Sequence, residues 1–202
     1  MDKNYWDNIY RSKTDAEVSW YQETPTRSLE LIVELGLDSF DSIIDIGGGD
    51  SHLVDHLLAK GFKNISILDI SPAALDRAKS RIGEVSNSVK FVACDITKFD
   101  PREKYKLWHD RATFHFLTSP EDIESYLKIA NRALASDGYL IVSTFSKTGP
   151  EMCSGLPITQ YSDTDLKTLF AKFFSNIRCI EDTHLTPWKS TQDFVYCGFK
   201  KR

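Results

Sequence analysis

The chain is predicted to be an α/β domain built on a mainly parallel sheet, with helices on both faces and an antiparallel β-hairpin at its end. Three observations carry this prediction. Short apolar strands alternate with amphipathic helices from Ser42 onward. Three consecutive glycines follow the first strand. The last two extended segments are joined by a loop too short for a helical crossover, so they must pair antiparallel.

The first strand is Ser42 to Ile46, followed by Gly47, Gly48 and Gly49. A helix starts near Ser51 and places Leu53, Leu57 and Leu58 on one face until Gly61 ends it. Ile65 to Ile70 is the second strand. Ser71 and Pro72 then read as an N-cap and a first helical residue. Leu75, Ala78 and Ile82 recur at helical spacing, and Gly83 stops that helix. Val89 to Cys94 and Tyr105 to Asp110 are the third and fourth strands. Ser119-Pro120-Glu121-Asp122 opens a helix with a capping hydroxyl, a proline in its first turn and two acids at the positive end of the dipole. Ile123, Leu127, Ala130 and Leu134 form its buried stripe. Asp137-Gly138 reads as a turn into the apolar fifth strand, Tyr139 to Phe145. A polar loop with Gly149, Pro150, Gly155 and Pro157 leads to a helix capped by Ser162 and running through Phe170. Asn176 to Leu185 and Gln192 to Lys200 make the closing hairpin. Ahead of the first strand, helical patterns cover roughly Lys3 to Arg11 and Thr26 to Leu35. Between them the aromatic and polar Ser19-Trp20-Tyr21-Gln22 has no place in the sheet.

At 202 residues the chain suffices for one domain with a full core. Its 41% apolar and 27% charged residues are ordinary globular values. The net charge of −4 is spread along the chain, and without a basic stripe nucleic acid is not an expected partner. The N-terminus lacks the apolar core of a signal peptide, and no apolar stretch reaches membrane-helix length, so a cytoplasmic protein without a membrane partner is expected. Cys94, Cys153, Cys179 and Cys197 are scattered with no CxxC pair, which disfavours a zinc or thioredoxin-like motif; no metal is expected. Cys94, Cys179 and Cys197 lie in strand-like runs and read as core residues, and nothing requires an oxidising compartment.

The strongest functional signal is IIDIGGGDSHL, from Ile43 to Leu53. Asp45 near the end of a buried strand precedes glycines that permit a tight turn and a close backbone approach by a ligand. The N–H groups at the following helix start favour an anion, and ligands in open α/β sheets bind at the carboxyl ends of strands. A side chain at Gly47 would occupy the ligand's space. Asp69 ends the second strand about 20 residues later, where a carboxylate can accept hydrogen bonds from both hydroxyls of a ribose. Asp95 ends the third strand and can accept from an exocyclic amine such as that of adenine, with a turn-capping role as its alternative.

With these residues in place, the chain resembles the class I S-adenosylmethionine (SAM)-dependent methyltransferases, which have a Rossmann-like fold with a seven-stranded sheet. The acid-x-Gly-x-Gly motif matches Asp45-Ile46-Gly47-Gly48-Gly49, and the second- and third-strand acids match Asp69 and Asp95. The fourth-strand segment matches Leu107 to Leu117, and the terminal hairpin fits as well. Ser51 stands where many members carry a further glycine. The resemblance implies that SAM is the cofactor and S-adenosylhomocysteine (SAH) the product. By it, Gly47 and Gly49 contact the methionine part, Asp69 holds the ribose, and Ile70, Asp95 and Ile96 bind adenine. It also puts Asp110 beside the methionyl group and the reactive methyl. Tyr5-Trp6-Asp7 and Ser19-Trp20-Tyr21-Gln22 look like the start of many bacterial members, in which this region folds over the cofactor; Trp20 and Tyr21 would then offer π-faces to the sulfonium. Trp108-His109-Asp110-Arg111-Ala112 is similar to thiopurine-type enzymes. Asp110-Arg111-Ala112-Thr113 is similar to an Asp-Lys-Gly-Thr pattern in protein-lysine methyltransferases.

The expected organisation is a single domain over 1–202, with an N-terminal helical lid at 1–41, a cofactor-binding core at 42–145, and an acceptor-side loop, helix and hairpin at 146–202. The donor is already activated, so the protein mainly positions the two reactants. If the nucleophile arrives protonated, His109, adjoining Asp110, is the expected base. His115 beside the fourth strand, Arg27 at a helix start and Cys153 in the loop after the fifth strand are candidate acceptor contacts, and His184 in the hairpin could face the same pocket. A small-molecule acceptor is favoured over a protein lysine, because a lid implies an enclosed site. A monomer or homodimer is expected. An NAD(P)-dependent oxidoreductase shares the glycine turn and Asp69 but leaves Asp95 and the hairpin unexplained, and a SAM-binding subunit without catalysis is the third reading.

Overall fold

The computed structural model describes residues 2–202. The central sheet holds β1 (Ser42–Ile46), β2 (Asn64–Asp69), β3 (Val89–Ala93), β4 (Tyr105–Arg111) and β5 (Leu134–Phe145). A small hairpin follows, β6 (Met152–Cys153) with β7 (Leu156–Pro157), and then the long strands β8 (Phe174–Leu185) and β9 (Thr191–Lys201). The seven-stranded sheet has the order β3-β2-β1-β4-β5-β9-β8. Pairing is parallel from β3 to β5 and antiparallel at β9 and β8. Strand order reverses between β1 and β4, so the carboxyl ends of those two strands open a crevice.

The β1, β2 and β4 strands are apolar on both sides because both sides are covered. Ile43, Ile65, Ile67, Leu107 and Ile141 face one cluster. That layer is completed by α2 (Thr26–Glu34), α3 (Leu53–Ala59) and α4 (Pro72–Ile82). Ile44, Ile46, Leu68, Trp108, Leu140 and Val142 face the other cluster, beneath α5 (Pro120–Ala133) and α6 (Asp163–Phe170). The capping hydroxyls expected at Ser71, Ser119 and Ser162 accept from Ala74, Asp122 and Asp165 amides.

Three expectations are revised. The fifth strand starts at Leu134 and runs through Asp137-Gly138, which form no turn. Tyr105 pairs with Leu134, and the register irregularity before Leu107 absorbs the extra residues as a bend. A Cβ at Gly138 would fall 3.0 Å from the Ala135 carbonyl, so glycine permits that bend. Cys179 and Cys197 are not separate core thiols: they are register partners on β8 and β9, with Cα atoms 4.1 Å apart, and are joined by a disulfide. The lid is also narrower than residues 1–41. Leu29, Leu31 and Ile32 of α2 are buried in the sheet layer, whereas α1 (Lys3–Ser12), a 3₁₀ turn at Asp15–Glu17 and Trp20-Tyr21 form a separate cluster around Trp6, Ile9 and Val18.

That lid is clasped to α4. The buried Asp7 carboxylate accepts from the Ser71 hydroxyl at 2.6 Å and the Ala73 amide at 3.2 Å, so it caps the start of α4 from outside. Lys3 and the Ser71 hydroxyl hold its pKa down at about 2. One turn along α4, Arg77 donates to the Tyr10 and Lys13 carbonyls and pairs with Asp15 at 2.8 Å. A group with a depressed folded-state pKa stabilises above its ordinary value and loses that effect as pH falls through the folded one. The clasp should therefore weaken between pH 3.8 and about 2. Asp7→Ala should cost about 1–2 kcal/mol and loosen the lid at neutral pH, read as faster hydrogen exchange confined to residues 3–21.

Candidate functional site

The crevice is a cleft at the carboxyl ends of β1 to β4, roofed by the lid, with about 1170 Å³ of space including its open mouth. Trp6, Tyr10, Trp20 and Tyr21 line it from the lid side. Gly47 and Gly48 line it from the first turn, Asp69 and Ile70 from β2, Cys94 and Ile96 from the end of β3, and Arg111, Ala112 and Thr113 from β4. Cys153 lines it from β6.

Three buried carboxylates stand at the strand tips, and their partners differ. Asp110 turns to the α5 side. Its Oδ1 accepts from the Thr113 and Phe114 amides at 3.0 and 3.1 Å, and its Oδ2 from the Tyr126 hydroxyl at 2.7 Å. Tyr126 in turn accepts from the Trp108 indole at 2.8 Å. Burial pushes the Asp110 carboxyl up to about 6, against those hydrogen bonds. Asp110 therefore builds the turn after β4 and does not line the cleft, contrary to the expected place beside the methionyl group. Asp45 and His109 are register partners on the opposite face. His109 Nδ1 meets Asp45 Oδ1 at 2.7 Å, and Nε2 meets the Ser28 hydroxyl at 2.9 Å. Both residues border the floor of the cleft. Both ring nitrogens of His109 are engaged within the protein, and the residue ties α2 to the sheet.

Asp69 is the remaining carboxylate. Its Oδ1 accepts from the Ser71 amide at 2.7 Å, and its Oδ2 lies beside Gly49. Burial, with the Asp45 and Asp7 charges adding, raises its pKa to about 7. The glycine turn fits tightly round these groups. Gly47 has φ +62°, and a Cβ there would sit 1.7 Å from the Thr113 hydroxyl. A side chain at position 47 thus meets the protein's own loop before any ligand. A Cβ at Gly49 would fall 2.9 Å from both Asp69 Oδ2 and the Tyr10 hydroxyl, so that glycine supports the wall without lining the cleft.

Trp20, Tyr21, Asp45, Gly47, Asp69, Ile70, Ile96, His109 and Cys153 converge on the cleft as expected positions. Others do not. Asp95 Oδ1 caps the turn after β3, accepting from the Thr97 amide and hydroxyl, while its neighbours Cys94 and Ile96 line the cleft instead. Arg27 pairs with Glu30 at 2.6 Å and Asp182 at 3.3 Å. His115 is fully buried beside the Phe145 amide, and burial together with the Arg111 charge lowers its pKa to about 3. His184 Nε2 donates to the Ser19 carbonyl at 2.7 Å, and the residue borders a second, shallow depression. Sequence reasoning missed Trp6, Tyr10, His52, Arg77 and Arg111 as lining residues. Trp6 carried a signal in the Tyr5-Trp6-Asp7 run; the helical spacing of Arg77 gave none. His109→Ala should destabilise the fold by about 2–4 kcal/mol, because it strands Asp45 and Ser28. Denaturant unfolding measures that cost, and the pH profile of turnover should keep its shape.

Residues 43–138 match the methyltransferase domain family model. Malonyl-[acyl-carrier protein] O-methyltransferase 2 of Ilyobacter polytropus is 30% identical over 137 residues, covering 67% of this chain and 51% of the relative. An eEF1A lysine and N-terminal methyltransferase homolog of Drosophila melanogaster is 25% identical over 144 residues, 67% of this chain and 21% of the relative. The chain thus spans about half the length, or less, of these curated relatives. Among solved structures, the N-methyltransferase NodS from Bradyrhizobium japonicum with bound SAH superposes with a TM-score of 0.75 at 17% identity, covering 99% of both chains. Residues 43–138 thus carry the match to the methyltransferase domain family, and the chain has the fold of the SAM-dependent methyltransferases.

Proposed function

We propose that the protein transfers a methyl group from SAM to a small-molecule acceptor, releasing SAH. The observation that carries this reading is the cleft itself. A glycine turn, the buried Asp69 and the apolar pair Ile70 and Ile96 line one continuous wall, and aromatic residues of the lid face it. The wall also fits the cofactor chemically. Asp69 offers a carboxylate oxygen to a ribose diol, and two shielded nitrogens on the cleft, Trp6 Nε1 and His52 Nε2, have no partner among the described residues. The relatives' acceptors, by their names, include a malonyl carrier protein and a protein lysine, so they leave the acceptor class open. The lid favours the small molecule, because Asp7 and Arg77 hold it down over the cleft and a protein side chain would need an open groove.

SAM, when bound, supplies a methyl group already activated on a sulfonium. The chain's residues then position, shield and hold. Asp69 would fix the ribose, Ile70 and Ile96 would pack on the adenine, and the Gly47-Gly48 backbone would run along the methionyl part. Trp6 and Trp20, 5.9 Å apart edge to face, would exclude water above the sulfonium and offer it a π-face. Turnover of labelled SAM to SAH across an acceptor library tests catalysis, and its complete absence alongside tight SAH binding would leave a non-catalytic SAM-binding subunit.

Asp69→Ala should weaken SAH binding by about 1–3 kcal/mol, the scale of lost hydrogen bonds to a charged group. Unchanged calorimetric affinity would remove Asp69 from the site. The ligand's hydroxyls favour the ionised carboxylate, so binding lowers the Asp69 pKa from about 7. Affinity should therefore rise with pH up to about 7 and then level off, with protons released on binding below that value. A flat profile from about pH 5 to 8 would contradict this role.

A further inference from the structure

The methyltransferase reading leaves one cation at the cleft without a task, and any role for that cation in the reaction rests on the same reading. Arg111 ends β4. Its Nε donates to the Tyr196 hydroxyl and its Nη1 to the Trp20 carbonyl, both at 3.0 Å. Its guanidinium carbon stands 4.8 Å from the centre of the Phe194 ring. Tyr196 and Phe194 belong to β9, which lies beyond β5, so the side chain leans away from β1 and its glycine turn. Nη2 is shielded and has no hydrogen-bond partner among the described residues, although Arg111 lines the cleft. No carboxylate forms an ion pair with Arg111 among the described residues. Arg77, the other arginine on the cleft, is consumed by Asp15, Asp50 and two lid carbonyls.

A partly buried guanidinium with neither counter-charge nor a full set of acceptors is costly. Its planar fork suits a carboxylate. The neighbouring groups cannot neutralise it. Burial, and then the Arg111 charge, lowers the His115 and His184 pKa values to about 3 and about 4, and burial raises the Cys153 thiol to about 11. We propose that Arg111, through its unpartnered Nη2, anchors a carboxylate of the methyl acceptor, which makes the acceptor an organic acid.

Calorimetric titration of the full chain, saturated with SAH, with phenylacetate and with phenylacetamide tests this. The wild type should bind the acid at least about tenfold more tightly than the amide. Arg111→Gln should erase that preference, and Arg111→Lys, which keeps the charge, should retain part of it. Equal binding of acid and amide by the wild type, or a preference that survives in Arg111→Gln, overturns the proposal. Titrating SAH and methylthioadenosine into the same variants separates the two sources of a carboxylate. If Arg111→Gln weakens SAH but leaves methylthioadenosine unchanged, the arginine holds the cofactor's own carboxylate and the proposal is overturned. Failure of SAH to bind the wild type would instead sink the methyltransferase reading, independently of the acid–amide comparison.

Discussion

A carboxylate buried at the end of a parallel strand must be satisfied, and the whole site depends on how three of them are. Asp110 is enclosed by two amides and a tyrosine hydroxyl. Asp45 is held by the histidine directly across the strand pair. Asp69 accepts from the Ser71 amide and presents its other oxygen at the glycine turn, on the cleft wall. The first two therefore shape the cleft. The third is the one whose raised pKa a polar ligand would relieve.

Two of these carboxylates, and Asp7 beside them, also order a neighbouring segment. By pinning the Thr113 and Phe114 amides, Asp110 sets the turn in which Ala112 takes φ +65°. Thr113 then donates its hydroxyl to the Ile46 carbonyl and fills the space that a side chain at Gly47 would need. Asp45, through His109 and Ser28, fastens α2 beneath the sheet. Asp7 does the same for the lid at the start of α4. The roof over the cleft thus hangs on the same kind of interaction as its floor.

Most of the fold was legible because local signals agreed. Ser71, Ser119 and Ser162 cap helices at the places their spacing indicates, and the alternation of apolar runs marked every strand of the main sheet. The Asp137-Gly138 bend was misjudged because its conformation depends on pairing with β4, which periodicity does not encode. The Cys179–Cys197 bond was missed because it requires the hairpin register, two residues that face each other only after folding. Within the site, residues on the glycine turn and the second strand were legible from motif spacing. Asp110 was placed beside the ligand, and Asp95 was left open between adenine and a turn cap, because position at a strand end does not say which face a side chain takes. Arg77 and Arg111 were invisible because their surroundings come from helix α1 and strand β9, far away in sequence.

The central claim is that Asp69 and the glycine turn form the adenosyl side of a SAM site closed by the N-terminal aromatics. A crystal structure of the protein with SAH tests it most directly. The account predicts ribose hydroxyls on the Asp69 carboxylate, adenine between Ile70 and Ile96, and Trp6 and Trp20 over the sulfur. SAH bound elsewhere, or in this cleft without touching Asp69, would contradict it.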